Sequence, residues 1–178
     1  MTIRDAEERD LPAVVDIFNA TIPSHMSTAV LEPVTVEERL PWFHEHAPDQ
    51  YPLWVLELDD AIAGWLSFHP FMPRCAYRGT AEVSVYVGAN FRRRGVARAL
   101  LEQGIALSPA LGLTALVGLI LGHNAVSLAL FERLGFERWG LLPRVTRFGA
   151  VERDIVIVGR HGRSEDTIGL GQSSAARV

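Results

Sequence analysis

The chain has 178 residues, enough for one domain with its own core and too few for a second of ordinary size. Hydrophobic residues make up 48% and charged residues 21%, which excludes disorder as the dominant state. Lysine plus arginine total 17 against 21 acids, a formal charge of −4, so general binding to nucleic acid or anionic membranes is disfavoured and any basic site must be local. Charges occupy the N-terminal stretch where a secretory signal needs its apolar segment. The apolar run 111–122 falls short of the roughly 20 residues that span a bilayer. Cys75 is the only cysteine, so neither an internal disulfide nor a cysteine-based zinc cage can form. These features lead to the expectation of a cytoplasmic protein with no membrane or nucleic-acid partner.

Residues 2–4 read as a short strand. Asp10 stands as the cap of a helix with Pro12 in its first turn and Val14, Ile17 and Phe18 at helical spacing. Thr35-Val36-Glu37-Glu38 has the capping-box form, in which Thr35 and Glu38 satisfy free amides reciprocally, so a second helix opens there. Pro41 is expected to kink or restart it. The runs 53–58 and 61–68, separated by Asp59-Asp60, predict an antiparallel hairpin. Residues 69–80, with two prolines, Gly79 and the Arg74/Arg78 pair, read as a loop. Residues 81–87 return to strand pattern, with Val83, Val85 and Val87 on one face and Glu82, Ser84 and Tyr86 on the other.

Residues 88–94 form a turn feeding a helix over 95–108, with Val96, Leu100 and Leu107 as its buried stripe. Residues 114–121 make the next strand. Asn124 is a natural N-cap for a helix running to Leu134, and Gly135 a natural residue of positive φ after it. Residues 136–142 and 154–158 read as closing strands. Beyond residue 162, Gly, Ser and Ala dominate, so 163–178 is expected to be a flexible C-terminal tail behind a single domain of residues 1–162. The element order predicts an α/β architecture with one mixed sheet and helices on both faces.

Arg92-Arg93-Arg94-Gly95-Val96-Ala97 lies where a hydrophobic strand turns into a helix. Such a turn leaves several N–H groups converging at the positive end of a helix dipole, an arrangement suited to a pyrophosphate. Gly95 lets the backbone approach a ligand closely, Ala97 keeps the next turn accessible, and the arginines add charge-assisted contacts. By itself this short pattern reads equally as a solvated arginine turn with a helix-start glycine. The Gly-Lys-Ser/Thr of nucleotide hydrolases is absent, and only Gly95 fits the three-glycine dinucleotide fingerprint.

In this context the chain resembles the Gcn5-related N-acetyltransferase (GNAT) superfamily, in which R/Q-x-x-G-x-G/A between the fourth strand and third helix holds the pyrophosphate of acetyl-coenzyme A. Ile3-Arg4-Asp5-Ala6, Asp10 and Ile17-Phe18-Asn19 are similar to its N-terminal strand and helix, and Gly95-Val96-Ala97-Arg98-Ala99-Leu100-Leu101 to its cofactor helix. Asn124-Ala125-Val126-Ser127 through Phe131-Glu132-Arg133-Leu134-Gly135-Phe136 resembles its second signature. The match covers about residues 2–160. Ala81-Glu82-Val83-Ser84-Val85-Tyr86-Val87 and residues 124–127 resemble the phosphinothricin and methionine sulfone acetyltransferase branch, whose members acetylate small amino-acid-like amines. The resemblance implies a GNAT-like acyl-CoA N-acyltransferase fold with a central, mostly antiparallel twisted sheet. It also implies acetyl-coenzyme A as co-substrate, no metal, a small-molecule amine substrate and a homodimer.

By the same resemblance Glu82 is the general base that deprotonates the amine. The alternative is a carboxylate hydrogen-bonded to a neighbouring loop amide. Val85, Tyr86 and Val87 offer backbone groups to the pantetheine, with an amide near Val87 as oxyanion donor. Their side chains read equally as ordinary packing. Arg92, Arg93, Arg94, Gly95, Val96 and Ala97 hold the pyrophosphate, and Asn124 and Ser127 add cofactor contacts beside Asn124's capping role. Where the superfamily usually carries a tyrosine, or the branch a histidine, able to protonate the departing thiolate, this chain has Phe131. Either the thiolate leaves unprotonated, a thiol of pKa near 8.5 being a tolerable leaving group, or Ser127, Tyr86 or water serves.

For the substrate, Phe71 and Tyr77 supply aromatic walls and Arg74 a partner for a carboxylate, or the segment is a capped surface loop. His25 and Met26 close the same pocket or belong to an ordinary connection. The branch's Lys-x-Gly-x-Trp-x-Asp is replaced by Arg147-Phe148-Gly149-Ala150-Val151-Glu152-Arg153-Asp154, without the tryptophan. His123 has no visible second metal ligand. Two alternatives remain beside the small-amine acetyltransferase: an acyl-CoA-binding sensor module without turnover, and a protein or peptide N-acetyltransferase.

Overall fold

Alternating apolar positions and short turn signals organise the chain around one sheet, seen in a computed structural model that describes residues 1–162. Its strands are β1 (Thr2–Asp5), β2 (Leu53–Leu58), β3 (Ala61–Pro70), β4 (Thr80–Val87), β5 (Ala115–Leu121), β6 (Glu137–Phe148) and β7 (Val151–His161). They lie in the order β1-β2-β3-β4-β5-β7-β6. All neighbours are antiparallel except β4 and β5. Those two are joined through α3 (Val96–Leu107), the crossover that a parallel pair requires. The expected single mixed sheet, mostly antiparallel, is present. The anticipated tail at 163–178 lies outside the described residues.

The period of two on each strand sends side chains to two cores. Leu66, Phe68 and Val83 face α3 and α4 (Ala125–Arg133), packing with Leu100, Leu116 and Phe131. Val55 and Trp65 face α1 (Leu11–Asn19) and α2 (Val36–His44), packing with Leu11, Val14 and Phe18. Helices therefore cover both faces. No helix among the described residues is long and apolar enough to cross a membrane.

Several local expectations hold. Asp59 and Asp60 both adopt positive φ, 54° and 57°, as a two-residue hairpin turn with strand-matched twist demands. The Thr35 hydroxyl accepts from the Glu38 N–H at 3.2 Å while Glu38 accepts from the Thr35 N–H at 2.8 Å, closing the capping box. Four details differ. The Asp10 carboxylate does not cap α1; it turns to Arg4, at 2.6 and 3.0 Å, and to the Glu7 N–H. A buried acid gains more from a two-pronged guanidinium than from one amide. The helix α2 runs through Pro41 to His44 without restarting, since Leu40, Trp42 and Phe43 pack on the α1-side core and offset the missing backbone bond. Leu107 is exposed, and Leu101 and Gly104 complete the buried stripe of α3, with a Gly104 Cβ position 3.1 Å from the Phe68 ring. The closing strands are longer than the apolar runs that announced them, because the exposed β6 keeps pairing with β7 up to the turn at Gly149.

Candidate active site

The pairing of β4 with β5 stops at Glu82 and Val117, and beyond that point the strands separate. Strand β5 stays hydrogen-bonded to β7 along its length and β4 to β3, so the sheet opens into a wedge with Glu82 at its apex. The Gly88 N–H donates to the Ala63 carbonyl on the β3 side at 2.9 Å. Strand alternation then turns the N–H groups of Val85 and Val87 the other way, into the wedge, where no strand receives them. A cavity of about 260 Å³ fills this opening, lined by Glu82, Ser84, Val85 and Tyr86 from β4, Leu119 to Leu121 from β5, and Asn124, Ser127 and Phe131 from α4.

At the open end of β4 the chain enters α3 through the arginine turn. Arg93 and Gly95 take positive φ, 59° and 82°, with Arg94 between them on the ordinary side. That alternation aims successive N–H groups to one side, the geometry of an anion nest. The first backbone bond of α3 runs from Ala99 N–H to the Gly95 carbonyl at 2.9 Å. The N–H groups of Arg92, Arg93, Arg94, Gly95, Val96 and Ala97 enter no backbone hydrogen bond among the described residues. A Cβ on Gly95 would meet no protein atom within 4 Å, so the glycine answers to its φ and to open space beside it. Arg92 and Arg93 are exposed, and neither side chain has an ion-pair partner among the described residues. Arg94 instead binds Asp59 of the β2–β3 turn at 2.8 Å and stands over the Phe91 ring, which makes it a brace of the turn in this state.

Glu82 is half-buried on the α1/α2 face, and burial pushes its pKa up with no hydrogen bond or neighbouring charge opposing the shift. Among the described residues no loop amide donates to its carboxylate. Tyr86, two side-chain repeats further on that face, stacks on Trp65 at 4.5 Å and meets Phe18 edge-on at 5.3 Å. Its hydroxyl reaches the Ser27 carbonyl at 3.4 Å, and burial raises its pKa, so it keeps its proton at neutral pH.

Asn124 is 6% exposed and commits both ends of its amide. The Oδ1 accepts from the Ser127 N–H at 3.1 Å, capping α4, and the Nδ2 donates to the Met26 carbonyl at 2.8 Å. His123 Nε2 adds a bond to the His25 carbonyl at 2.8 Å, and the His25 ring rests on Phe148. Residues 25–29 are thereby strapped across the wedge and form one cavity wall from Met26 to Ala29. The strap is the part of the site least visible in the sequence. The sequence offered only His25 and Met26, between the first two helices, as closing the pocket or as an ordinary connection, since nothing in a short loop announces a bond to residues about a hundred positions away.

Of the residues singled out from sequence, Glu82, Val85, Tyr86, Asn124 and Ser127 share the cavity, and the arginine turn opens beside it. Phe71, Arg74 and Tyr77 sit on the β3–β4 connection around a short helical turn (Cys75–Tyr77) and are not among the cavity-lining residues. Phe131 lines the cavity with its ring against Phe136 and only 3.0 Å from where a Gly118 Cβ would stand, so it presents an apolar wall without a proton to donate.

Comparison with known proteins finds relatives in one family. The model of the acetyltransferase (GNAT) family matches residues 12–136. The chain is 46% identical over 161 residues to the Bacillus subtilis (strain 168) protein named "Putative phosphinothricin acetyltransferase YwnH", covering 90% of this chain and 98% of that one. It is 35% identical over 150 residues to the L-methionine sulfoximine/L-methionine sulfone acetyltransferase of Pseudomonas aeruginosa, covering 83% of this chain and 87% of that one. Among solved structures, a GNAT superfamily phosphinothricin acetyltransferase from Sinorhizobium meliloti in complex with AcCoA superimposes with a TM-score of 0.84 at 28% identity, covering 90% of this chain and 87% of that one.

Proposed function

The chain belongs to the acetyltransferase (GNAT) family, and from that premise we propose that it moves an acetyl group from acetyl-coenzyme A to the primary amine of a small amino-acid-like substrate, with Glu82 as general base. The observation that carries the proposal is the pairing of free donors at residues 92–97 with an unopposed carboxylate at the apex of the same wedge.

The N–H groups from Arg92 to Ala97 and the side chains of Arg92 and Arg93 fit the pyrophosphate of the co-substrate; the N–H groups of Val85 and Val87 fit its amide-bearing arm. Bound there, acetyl-coenzyme A supplies an activated thioester carbonyl. Glu82, ionised, takes a proton from the substrate ammonium and leaves a nucleophilic amine. The Val87 N–H donates to the carbonyl oxygen as negative charge gathers on it. Leu119, Leu121 and Phe131 exclude water from that side. Phe131 offers the departing thiolate no proton, so Ser127, Tyr86 or solvent supplies it, or it leaves as the anion.

A homodimer belongs to the same proposal. The edge strand β6 exposes Trp139, Leu141, Leu142 and Val145, an apolar row that a second copy would cover. Sedimentation of the wild type and of Leu141→Glu tests it.

The deciding experiment pairs calorimetric titration of acetyl-coenzyme A with a thiol-release assay on amino acids and their sulfone and sulfoximine analogues. Glu82→Gln should keep the binding and lose turnover about 10²- to 10⁴-fold, the usual worth of a positioned base. Wild-type turnover in that variant refutes the base. Binding without release across the whole set favours an acyl-CoA sensor, the reading that the protonless wall at Phe131 supports.

A further inference from the structure

On the α1/α2 face, the register of β3 with β4 lines up three cross-strand pairs: Trp65 with Tyr86, Ser67 with Ser84, and His69 with Glu82. The middle pair is small, so a polar dip lies between an aromatic block and the carboxylate. Ser67 is 1% exposed and its Oγ has no hydrogen-bond partner among the described residues. Buried hydroxyls are rarely left in that condition. Ser84, its cross-strand neighbour, lines the cavity together with Glu82 and Tyr86, so the dip adjoins the cavity.

Helix α2 covers this dip with an unusual set of groups. The Trp42 Nε1–H donates to His69 Nε2 at 3.0 Å, so the proton of the neutral ring resides on Nδ1 and is available to donate. Burial, helped by His46 and Arg39, holds His69 down to about 4, and burial lowers His46 as well, its Nδ1–H bonded to the Trp42 carbonyl at 2.9 Å. Both rings are neutral at physiological pH. Arg39 is not. Its guanidinium lies 4.5 Å from the Phe18 ring centre and 5.1 Å from that of Trp42, is half-buried, and has no carboxylate within 4.0 Å among the described residues. It lies near enough to His69 and Tyr86 for its charge to act on both. Burying a cation without an anion is costly, and the face that holds it also holds Glu82, a carboxylate with no ion-pair partner among the described residues. The face thus carries one cation and one anion, charges opposite in sign to the carboxylate and ammonium of a free amino acid.

We propose that Arg39 is the anion anchor of the acceptor subsite: its guanidinium receives the carboxylate of an amino-acid acceptor, the His69 Nδ1–H donates beside it, and the acceptor's ammonium comes to rest at Glu82. This assignment rests on the acetyltransferase function proposed above and names which end of the acceptor is read. It places the carboxylate contact on α2, where Arg74, on the exposed β3–β4 connection, had been the sequence candidate.

The test compares L-methionine sulfone with its primary amide, which retains the amine and lacks the negative charge. Thiol release is measured for the wild type, Arg39→Met, Arg39→Lys and Arg74→Met. Methionine keeps apolar bulk between Phe18 and Trp42, and a melting curve verifies the fold. The wild type should prefer the acid in kcat/KM, and Arg39→Met should erase the preference by raising KM for the acid roughly 10- to 100-fold, the worth of a charge-assisted contact. The KM for acetyl-coenzyme A and kcat/KM for the amide should not move, and Arg39→Lys should recover part of the preference. An Arg39→Met enzyme that still prefers the acid, or that loses acid and amide equally, overturns the anchor while acetyl transfer stands. Loss of the preference in Arg74→Met alone overturns it too. No release from either compound by a wild type that still binds acetyl-coenzyme A overturns the small-amine reading. The anchor is then judged by titrating L-methionine sulfone into coenzyme A-loaded protein: binding weakened by Arg39→Met sustains it, and absent or unaffected binding sinks it.

Discussion

Asn124 joins the cap of α4 to the strap that walls the cavity, and two substitutions separate those duties. Alanine removes both hydrogen bonds, the 3.1 Å bond from the Ser127 N–H and the 2.8 Å bond to the Met26 carbonyl. The lost cap costs about 1 kcal/mol, and the lost bond at a buried site about 1 kcal/mol more. At roughly 2–4 °C per kcal/mol for a domain of this size, Tm should fall by about 4–8 °C. Aspartate retains an acceptor for the Ser127 N–H and adds a favourable charge at the helix N-terminus, yet offers the Met26 carbonyl no donor. Asn124→Asp should therefore melt well above Asn124→Ala. Both variants should exchange the amides of residues 26–29 about 5-fold faster, the equivalent of about 1 kcal/mol of lost local stability. Thermal denaturation and hydrogen exchange read the two quantities independently. Equal melting of the two variants would remove the cap from the account, and unchanged exchange at 26–29 in both would show that the strap is held by something else.

Other consequences follow from the same contacts. Burial raises the Glu82 pKa, and the base works only when ionised, so kcat/KM should decline on the acid side at a pH above the ordinary glutamate value of about 4.3. A limb at or below that value contradicts the assignment. Because the folded state holds this proton more tightly than the unfolded chain, ionisation of Glu82 costs stability as pH rises, and Glu82→Gln should melt no lower than wild type at pH 7. Gly95→Ala meets no protein atom but forces a side chain into φ +82°; urea unfolding should show a loss of about 1–2 kcal/mol, and calorimetry a weaker hold on acetyl-coenzyme A. Asp10 is 6% exposed and binds Arg4 through both oxygens, so Asp10→Asn should cost about 3 kcal/mol, the low end for a broken buried pair because Arg4 keeps Glu57. Although burial alone would raise it, Arg4 and the Glu7 N–H hold the Asp10 pKa below its usual value. This stability is present above about pH 3.9, the unfolded value, and is lost as pH falls through the lower folded one, so the variant and the wild type should converge in acid.

Much of this protein was legible as a string because the signals are local. The Thr35 capping box, the Asp59-Asp60 turn, the period-two valines of β4 and the Asn124 and Gly135 ends of α4 each depend on residues within one turn or one strand repeat, where backbone sterics and hydrogen bonding decide. The arginine-glycine turn belongs to the same class, since the positive φ of Gly95 and the free amides around it follow from six consecutive residues. Glu82 stood out by its place on the polar side of β4, although its burial and lack of a partner could not be read there.

Whatever depends on two distant segments meeting was decided by the tertiary structure. The wedge exists because β5 remains with β7 after β4 leaves it, a competition between pairings that no single strand records. The strap at 25–29 is fixed by Asn124 and His123, the Asp10 carboxylate goes to Arg4 in preference to its own helix, and Arg39, Ser67 and His69 become one polar patch only when α2 is laid over β3. Local sequence specifies which conformations a segment prefers. Burial and charge pairing, which act through space, select the partners, and those partners are what make the site.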